Sequence, residues 1–424
     1  MDLIKTSFLA GISTIIKIIA GFIITKIIAV HIGPTGLALI GQFQNFTAIA
    51  LLLASGAIYN GIVKFIAEFH EDKKERAKIL STSFLITISC SFVSSILILL
   101  FYKQLTLYFL KDIKYSSILF IFAFSLILFS LNSFLTGVLN GYREIKKFIA
   151  VNIVSSLFTL VLIFLFVRWW GLYGALFSLA IIHALVFFVT IFFVISSKWF
   201  SIKNFLCGFD KTYFLKLGKY SLMALVTAII VPVSQIIIRS YISDHISMDA
   251  AGCWQGIIKV SEVYLLMVTS SLGVYYMPKL AQIKKHNELR KEIFSGYKII
   301  LPIVIILALG VYVCRDIAIK VLFSNKFMAM SELFAYQLIG DVLKVGVWLL
   351  SCIMCAKAMT KLYVCTEIFN AIVYTVLSIY LVNVSGLIGV TQAFAISYFI
   401  SLLLMIWIFR KILFKREMDE TLID

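Results

Sequence analysis

Ile79–Phe101 reads ILSTSFLITISCSFVSSILILLF, 23 residues without a charge, a proline or a glycine. At about 1.5 Å per residue such a helix crosses the roughly 30 Å hydrocarbon core of a bilayer. The run does not alternate in the way of barrel strands, which read as segments of about ten residues with every second one apolar. Similar stretches fill the chain. They predict twelve transmembrane spans, at 7–30, 36–60, 79–101, 117–139, 149–167, 173–195, 218–239, 251–276, 294–313, 331–355, 362–382 and 387–409. Of the 424 residues, 62% are hydrophobic and only 14% charged, where a soluble domain is about one quarter charged. The fold class is an all-α polytopic membrane protein, and a soluble enzyme is excluded.

The net charge of +17 suggests nucleic acid until the charges are placed. With an even number of spans both termini share one side. The termini and loops of that side hold 24 of the 38 Lys and Arg, among them Lys5, Lys73, Lys74, Arg143, Lys284 and Lys285, and the opposite loops hold 7. This is the positive-inside pattern and predicts cytoplasmic termini, with no nucleic-acid partner. The first span passes 20 residues, contains Lys17 and Lys26 and ends in His31-Ile32-Gly33-Pro34 without a small-x-small site. It reads as a retained anchor rather than a cleaved signal.

No loop exceeds about 20 residues. The loop 61–78 carries Lys73-Lys74-Glu75-Arg76 and reads as a solvated cytoplasmic helix. The segment 196–217 is the natural boundary between two six-span halves, 1–200 and 201–424. Those halves are weakly alike. Thr35-Gly36-Leu37-Ala38 corresponds to Ala251-Gly252-Cys253-Trp254, and at the same offset Tyr59 falls on Tyr275. Six spans each make this a parallel repeat about an axis along the membrane normal, with a central cavity between the bundles.

Charges inside spans are expensive and mark function by default. Lys17 lies mid-span between the small neighbours Thr14 and Gly21, and Lys26 lies near the outer end, where it could also snorkel. Gln42 and Asn45 share a face of the second span, and Asn60 and Lys64 follow at its end. Pro232, Gln235 and Arg239 lie in the seventh, and Lys259 and Glu262 in the eighth. Gln337, Asp341, Lys344 and Trp348 form one stripe of the tenth. Lys259–Glu262 and Asp341–Lys344 are spaced either for structural ion pairs or for a site whose charge changes. His183 is a lone mid-span histidine, open to a packing role or a proton role. Positive charge prevails among these positions, which suits an anion and disfavours a carrier of cationic drugs. The seven cysteines include Cys352-x-x-Cys355, which on a membrane helix reads as packing rather than as a metal or redox pair.

There is no GxxxxGK(S/T) loop, no HExxH, no GxSxG and no clustered metal-ligand set, so no cofactor or metal is expected. The short exterior loops, poor in carboxylates, offer no catalytic centre. A secondary carrier or a flippase for a lipid-linked anion remains.

Several segments resemble the Wzx family of polysaccharide flippases, within the multidrug/oligosaccharidyl-lipid/polysaccharide exporter superfamily. They are Lys26–Leu37 (KIIAVHIGPTGL), Asn60–Lys64 (NGIVK), Lys219–Leu225 (KYSLMAL), Trp254-Gln-Gly256, Ser324–Phe327 (SNKF) and, most specifically, Leu333–Val345 (LFAYQLIGDVLKV). The similarity runs over almost the whole chain. It implies two six-helix bundles forming a V around a cationic cavity. It implies transport of O-antigen or enterobacterial common antigen units on undecaprenyl pyrophosphate across the bacterial inner membrane. The family pattern carries onto Lys17, Lys26, Lys64, Arg143, Arg239, Asp341 and Lys344, whereas Glu262 stands where the pattern has aspartate and Lys259 has no counterpart. The residues expected to meet pyrophosphate and sugars are Lys17, Lys26, Gln42, Asn45, Lys64, Arg239, Gln337 and Lys344. Asp341 and Glu262 are the ion-coupling candidates, with a proton or sodium as the ion. A polysaccharide polymerase and chain-length proteins are the implied protein partners. A multidrug/proton antiporter and a non-transporting scaffold are the alternatives.

The topology has a direct check. In a cysteine-free background, cysteine at Lys114 should react with an impermeant maleimide added to right-side-out vesicles, and cysteine at Lys74 only after lysis. The reverse result would invert the orientation.

Overall fold

The computed structural model describes residues 3–414 except 198, 206, 273–275, 284 and 358, so Tyr275 of the repeat lies outside the described residues. The helices are α1 (Leu3–His31), α2 (Pro34–Ala54), α3 (Tyr59–Glu68), α4 (Lys73–Leu110), α5 (Ser116–Gly141), α6 (Ile145–Ile195), α7 (Lys211–His245) and α8 (Met248–Ser271). Then come α9 (Met277–Gln282), α10 (His286–Val313), α11 (Arg315–Leu322), α12 (Phe334–Ala356), α13 (Thr360–Ser385), α14 (Ile388–Ile408) and α15 (Arg410–Phe414), with short 3₁₀ turns between some of them. Ten stretches of described helix are long and apolar enough to cross a membrane. One of them, α6, is two spans. Gly171 breaks it at φ 56°, ψ −130°, a conformation open to glycine and strained for other residues. α8 is more polar because it carries Asp249, Lys259 and Glu262. Every predicted span therefore has a helix.

The chain divides into two compact units. Unit 1 is Met1–Ile32 with Leu39–Pro232, and unit 2 is Gly33–Ala38 with Val233–Asp424. In unit 1, α5 packs on α4 and α6, α6 also holds α1, and α3 lies against α5. α2 joins this bundle through an aromatic cluster of Phe43 and Phe46 with Phe109 of α4 and Phe122 of α5. At the turn inside α6, Trp169 and Trp170 are exposed, and Trp170 stacks on Phe166 at 5.2 Å.

The loop 61–78 is not a solvated helix. α3 sinks Ile62, Phe65 and Ile66 into the core beside Ile79, Val138 and Leu139, because its apolar residues fall on one helical face. Asn60 and Lys64 accordingly sit on α3 and not on the second span. Asp72 then starts α4 by accepting the amides of Lys74 (2.9 Å) and Glu75 (3.1 Å), an N-cap that satisfies two of the helix's unpaired donors. The segment after α6 is tied down rather than loose. Glu144 accepts Trp199 Nε1 at 2.7 Å, Ser81 donates to the Gly208 carbonyl at 2.8 Å, and the Asp210 amide donates to Thr82 at 3.0 Å.

In unit 2, α12 is central, packed by α8, α9, α10, α13 and α14. The α1–α2 turn belongs here. The Thr35 amide and hydroxyl both donate to Asp249 Oδ1, at 3.1 and 2.5 Å. Gly252 lies directly on the Pro34 backbone. The two segments the sequence aligned as repeats thus meet, and glycine at 252 is what lets them approach. Unit 1 ends at Pro232, inside α7, where proline removes a helical hydrogen bond.

Gly252→Val places a side chain against backbone that cannot yield, an overpacking worth about 1–3 kcal/mol. Its thermal midpoint in detergent should fall clearly. Gly310→Ala, with nothing within 4 Å of the new carbon, should leave it unchanged.

Candidate functional site

In unit 1, Lys17 is an exposed residue of α1, the helix that packs on α6. His183 of α6 lies within electrostatic range of it. The imidazole stacks on Phe129 of α5 with ring centroids 3.8 Å apart and planes at 4°. Two turns further along α6, Thr190 donates to Asn132 Oδ1 at 2.6 Å, so α5 and α6 share a polar seam. Lys26 is half-buried, Gln42 is buried and Asn45 half-buried on α2. Lys64 is exposed, its ammonium 5.5 Å from the Phe65 ring centre. A cavity of about 590 Å³ opens between α2, α3, α5 and α7. Small apolar residues line it, with Ser55, Tyr59, Asn60 and Ser133 as its polar groups. The predicted lysines are not in that lining. They are distributed over α1 and α3 rather than gathered at one point.

Unit 2 holds a buried polar constellation. Asp341 is fully buried on α12. Its Oδ2 accepts Ser261 at 2.6 Å and Tyr264 at 2.7 Å, both from α8, and its Oδ1 accepts Gln337 at 3.3 Å. Gln337, expected to meet sugar, thus gives its amide to a carboxylate one turn away. Lys344 is on the next turn, and among the described residues no ion pair joins it to Asp341. Its ammonium instead stands 4.9 Å from the Trp348 ring, 5.8 Å from Tyr398 and 5.9 Å from Phe394. The Asp341 oxygens are already taken by neutral donors, and three aromatic faces attract the cation.

Arg239 is buried, donates to Gln255 Oε1 and lies 5.3 Å from the Trp254 ring. Glu262 pairs with Lys259 at 2.9 Å, with 53% of the glutamate side chain exposed. Of the two predicted pairs, then, Lys259–Glu262 forms and Asp341–Lys344 does not. The seven cysteines are free, and among the described residues no cluster could hold a metal ion.

Sequence reasoning missed Glu367 and Asn370 of α13. Both line a small cavity with Trp348, Tyr398 and Ser401. The available signal was an acid and an amide at i, i+3 inside a span.

Removing the buried acceptor strands three donors, each at about 1–3 kcal/mol. Asp341→Leu should therefore lower the thermal midpoint more than Ser261→Ala or Gln337→Leu, each of which removes one donor. Equal midpoints across the three variants would mean that the carboxylate does not organise this site.

The family described as polysaccharide biosynthesis protein matches residues 3–284. The Lipid III flippase of Escherichia coli (strain K12) is 30% identical over 400 residues, covering 94% of this chain and 96% of its own. The Lipid III flippase of Shigella flexneri gives the same figures. Among solved structures, an inward-facing multidrug resistance MATE family transporter of the MOP superfamily matches with a TM-score of 0.78 at 12% identity, over 96% of both chains. The lipid II flippase MurJ in an inward closed conformation matches with a TM-score of 0.70 at 16% identity, over 96% of this chain and 87% of that one. At such identities the structural likeness establishes the fold. This chain is a multi-pass membrane protein of the polysaccharide biosynthesis protein family, built on the MOP-superfamily fold.

Proposed function

We propose that the chain is a flippase for undecaprenyl-pyrophosphate-linked O-antigen repeat units. It moves them from the cytoplasmic to the periplasmic leaflet of the bacterial inner membrane by alternating access between its six-helix halves, with both termini cytoplasmic. The observation that carries the reading is the surplus of cations within membrane helices, in a chain related end to end to lipid III flippases. Lys17, Lys26, Arg239, Lys259 and Lys344 stand against Asp341, Glu262 and Glu367.

A pyrophosphate bearing several sugars does not cross hydrocarbon unaided, because each bare charge or unpaired polar group there is expensive. Lys17, Lys26, Lys64, Arg239 and Lys344 supply positive partners to the pyrophosphate. Gln42 and Asn45 supply hydrogen bonds to the sugars, whereas the Gln337 amide is held by Asp341. The polyprenyl tail stays in lipid. A carboxylate that gains and loses an ion adjusts the local charge so that binding is reversible; of the candidates the sequence offered, Asp341 has its oxygens taken by Ser261, Tyr264 and Gln337, and Glu262 is paired with Lys259.

The name of the relatives favours one second reading, in which the cargo is lipid III. Both cargoes use the same reaction type. A drug antiporter is disfavoured by the excess of cations, and a pure scaffold would have no use for them.

The test is flipping of fluorescent undecaprenyl-pyrophosphate oligosaccharides in proteoliposomes, with O-antigen-type and lipid III-type head groups in separate arms. Lys17→Ala and Lys344→Ala should each slow flipping about tenfold or more, the loss of one charge-assisted contact. Flipping at the wild-type rate in both variants would overturn the cationic route. Absence of wild-type flipping for either head group, with and without an imposed ion gradient, would overturn the flippase reading.

A further inference from the structure

Glu367 and Asn370 stand one turn apart on α13. Ser401 of α14 donates to Asn370 Oδ1 at 2.8 Å, and Tyr398 of α14 stands beside it. Together with Trp348 of α12 these side chains line a cavity of about 20 Å³. One water needs roughly 10–15 Å³ by the same measure, and it needs two to four polar partners. This cavity offers both.

A carboxylate at this depth needs a compensating charge. Lys344, whose ammonium stands 4.9 Å from the Trp348 ring and 5.8 Å from the Tyr398 ring of that cavity lining, is placed to supply it to Glu367, as it is one turn along α12 to Asp341. One cation therefore faces two acids. The three carry a net charge of −1 when both acids are ionised and of zero when one is protonated. The acids differ in access. Asp341 is sealed, its oxygens taken by Ser261, Tyr264 and Gln337. Glu367 is half-buried and borders the cavity, so a proton can reach it through water. The titratable groups facing Glu367 are few. They are Lys344 and Cys355 from α12, Tyr363 from α13 itself and Tyr398 from α14. Among these, Lys344 is the one cation.

We propose that Glu367 is the proton-exchanging group of unit 2, and that its charge sets how much of the Lys344 charge is available to an anionic head group. With Glu367 protonated, Lys344 is shared with Asp341 alone and can take a phosphate. When Glu367 releases its proton to the cavity water, its carboxylate competes for Lys344 and the phosphate leaves. The second half of this mechanism rests on the flippase reading, and the proton exchange does not.

Trp348 lines the same cavity and reports on it without substrate. The experiment is a pH titration of tryptophan emission in the purified full-length protein, with Trp348→Phe subtracted to isolate the one indole. A sigmoidal transition is expected in the wild type and in Asp341→Asn, and its loss in Glu367→Gln. Should Glu367→Gln fail to fold, Glu367→Asp should displace the midpoint. A transition unchanged in the Glu367 variants, or absent from the wild type, overturns the proposal. A transition that follows sodium at fixed pH also overturns it, by making the site a sodium site.

A second arm measures binding of a short-chain polyprenyl pyrophosphate. Wild-type affinity should weaken about tenfold across the transition, and Glu367→Gln should hold the tighter value at every pH. A Glu367 transition with no binding in any variant would sink the flippase reading and leave the proton site standing. Binding that ignores the transition would sink the link to Lys344.

Discussion

In hydrocarbon a polar group has no water to turn to, so every one must be satisfied within the protein. That constraint makes the spans helical, and it also sorts the polar side chains inside them. Most mid-span hydroxyls return to their own helix. Ser130 donates to the Leu126 carbonyl, Thr159 to Ser155 and Ser156 to Asn152, at 2.7–2.9 Å. Such residues add polarity to the sequence and nothing to a site. The informative groups bond across helices: Asn132 with Thr190, Ser401 with Asn370, Ser261 and Tyr264 with Asp341. Within unit 2 the bonds to Asp341 tie α8 to α12, the helix around which that unit packs, and Ser401 with Asn370 ties α14 to α13.

The same constraint explains the company the charges keep. A lysine in lipid needs an acid, a set of acceptors or aromatic faces. Lys259 has an acid, and Lys344 has three rings and two acids at longer range. Arg239 has an amide acceptor and an indole face. The rings around Lys344 and the Gln255 amide on Arg239 attract a cation without cancelling its charge. A chain that must bind and release an anion benefits from cations held by weak partners, since a saturated cation would have no capacity left for cargo.

The spans were legible because length and hydropathy decide them. The break at Gly171 lay between two predicted spans, signalled by charged and aromatic residues beside a glycine. The loop 61–78 was misread because its lysines outweighed a short apolar face, Ile62, Phe65 and Ile66, that shows only once α5 is present to cover it. The stripe Gln337–Asp341–Lys344 was legible from helical spacing, but its contacts were not. Spacing placed Lys344 beside Asp341 and could not know that Ser261 and Tyr264, some 80 residues earlier, already hold the carboxylate. Glu367 was hidden for another reason. A single acid in an otherwise apolar span carries little pattern, and its meaning depends on Asn370, Tyr398 and Ser401 closing around it.

The exposed Trp169 and Trp170 at the Gly171 break act as a depth gauge. Indole rings settle at the level of lipid head groups, and the segment leading up to them, 149–167, is roughly 28 Å long as a helix. At its other end lie Arg143, Lys146 and Lys147, which favour the aqueous side. The length of the first arm of α6, between these lysines and the tryptophans, thus matches a membrane near 30 Å thick. A bilayer several ångströms thicker would pull the tryptophans into hydrocarbon or force the lysines to stretch. Lipid thickness becomes a physical input to this protein, and reconstitution in bilayers of graded acyl length would reveal how narrow its working range is.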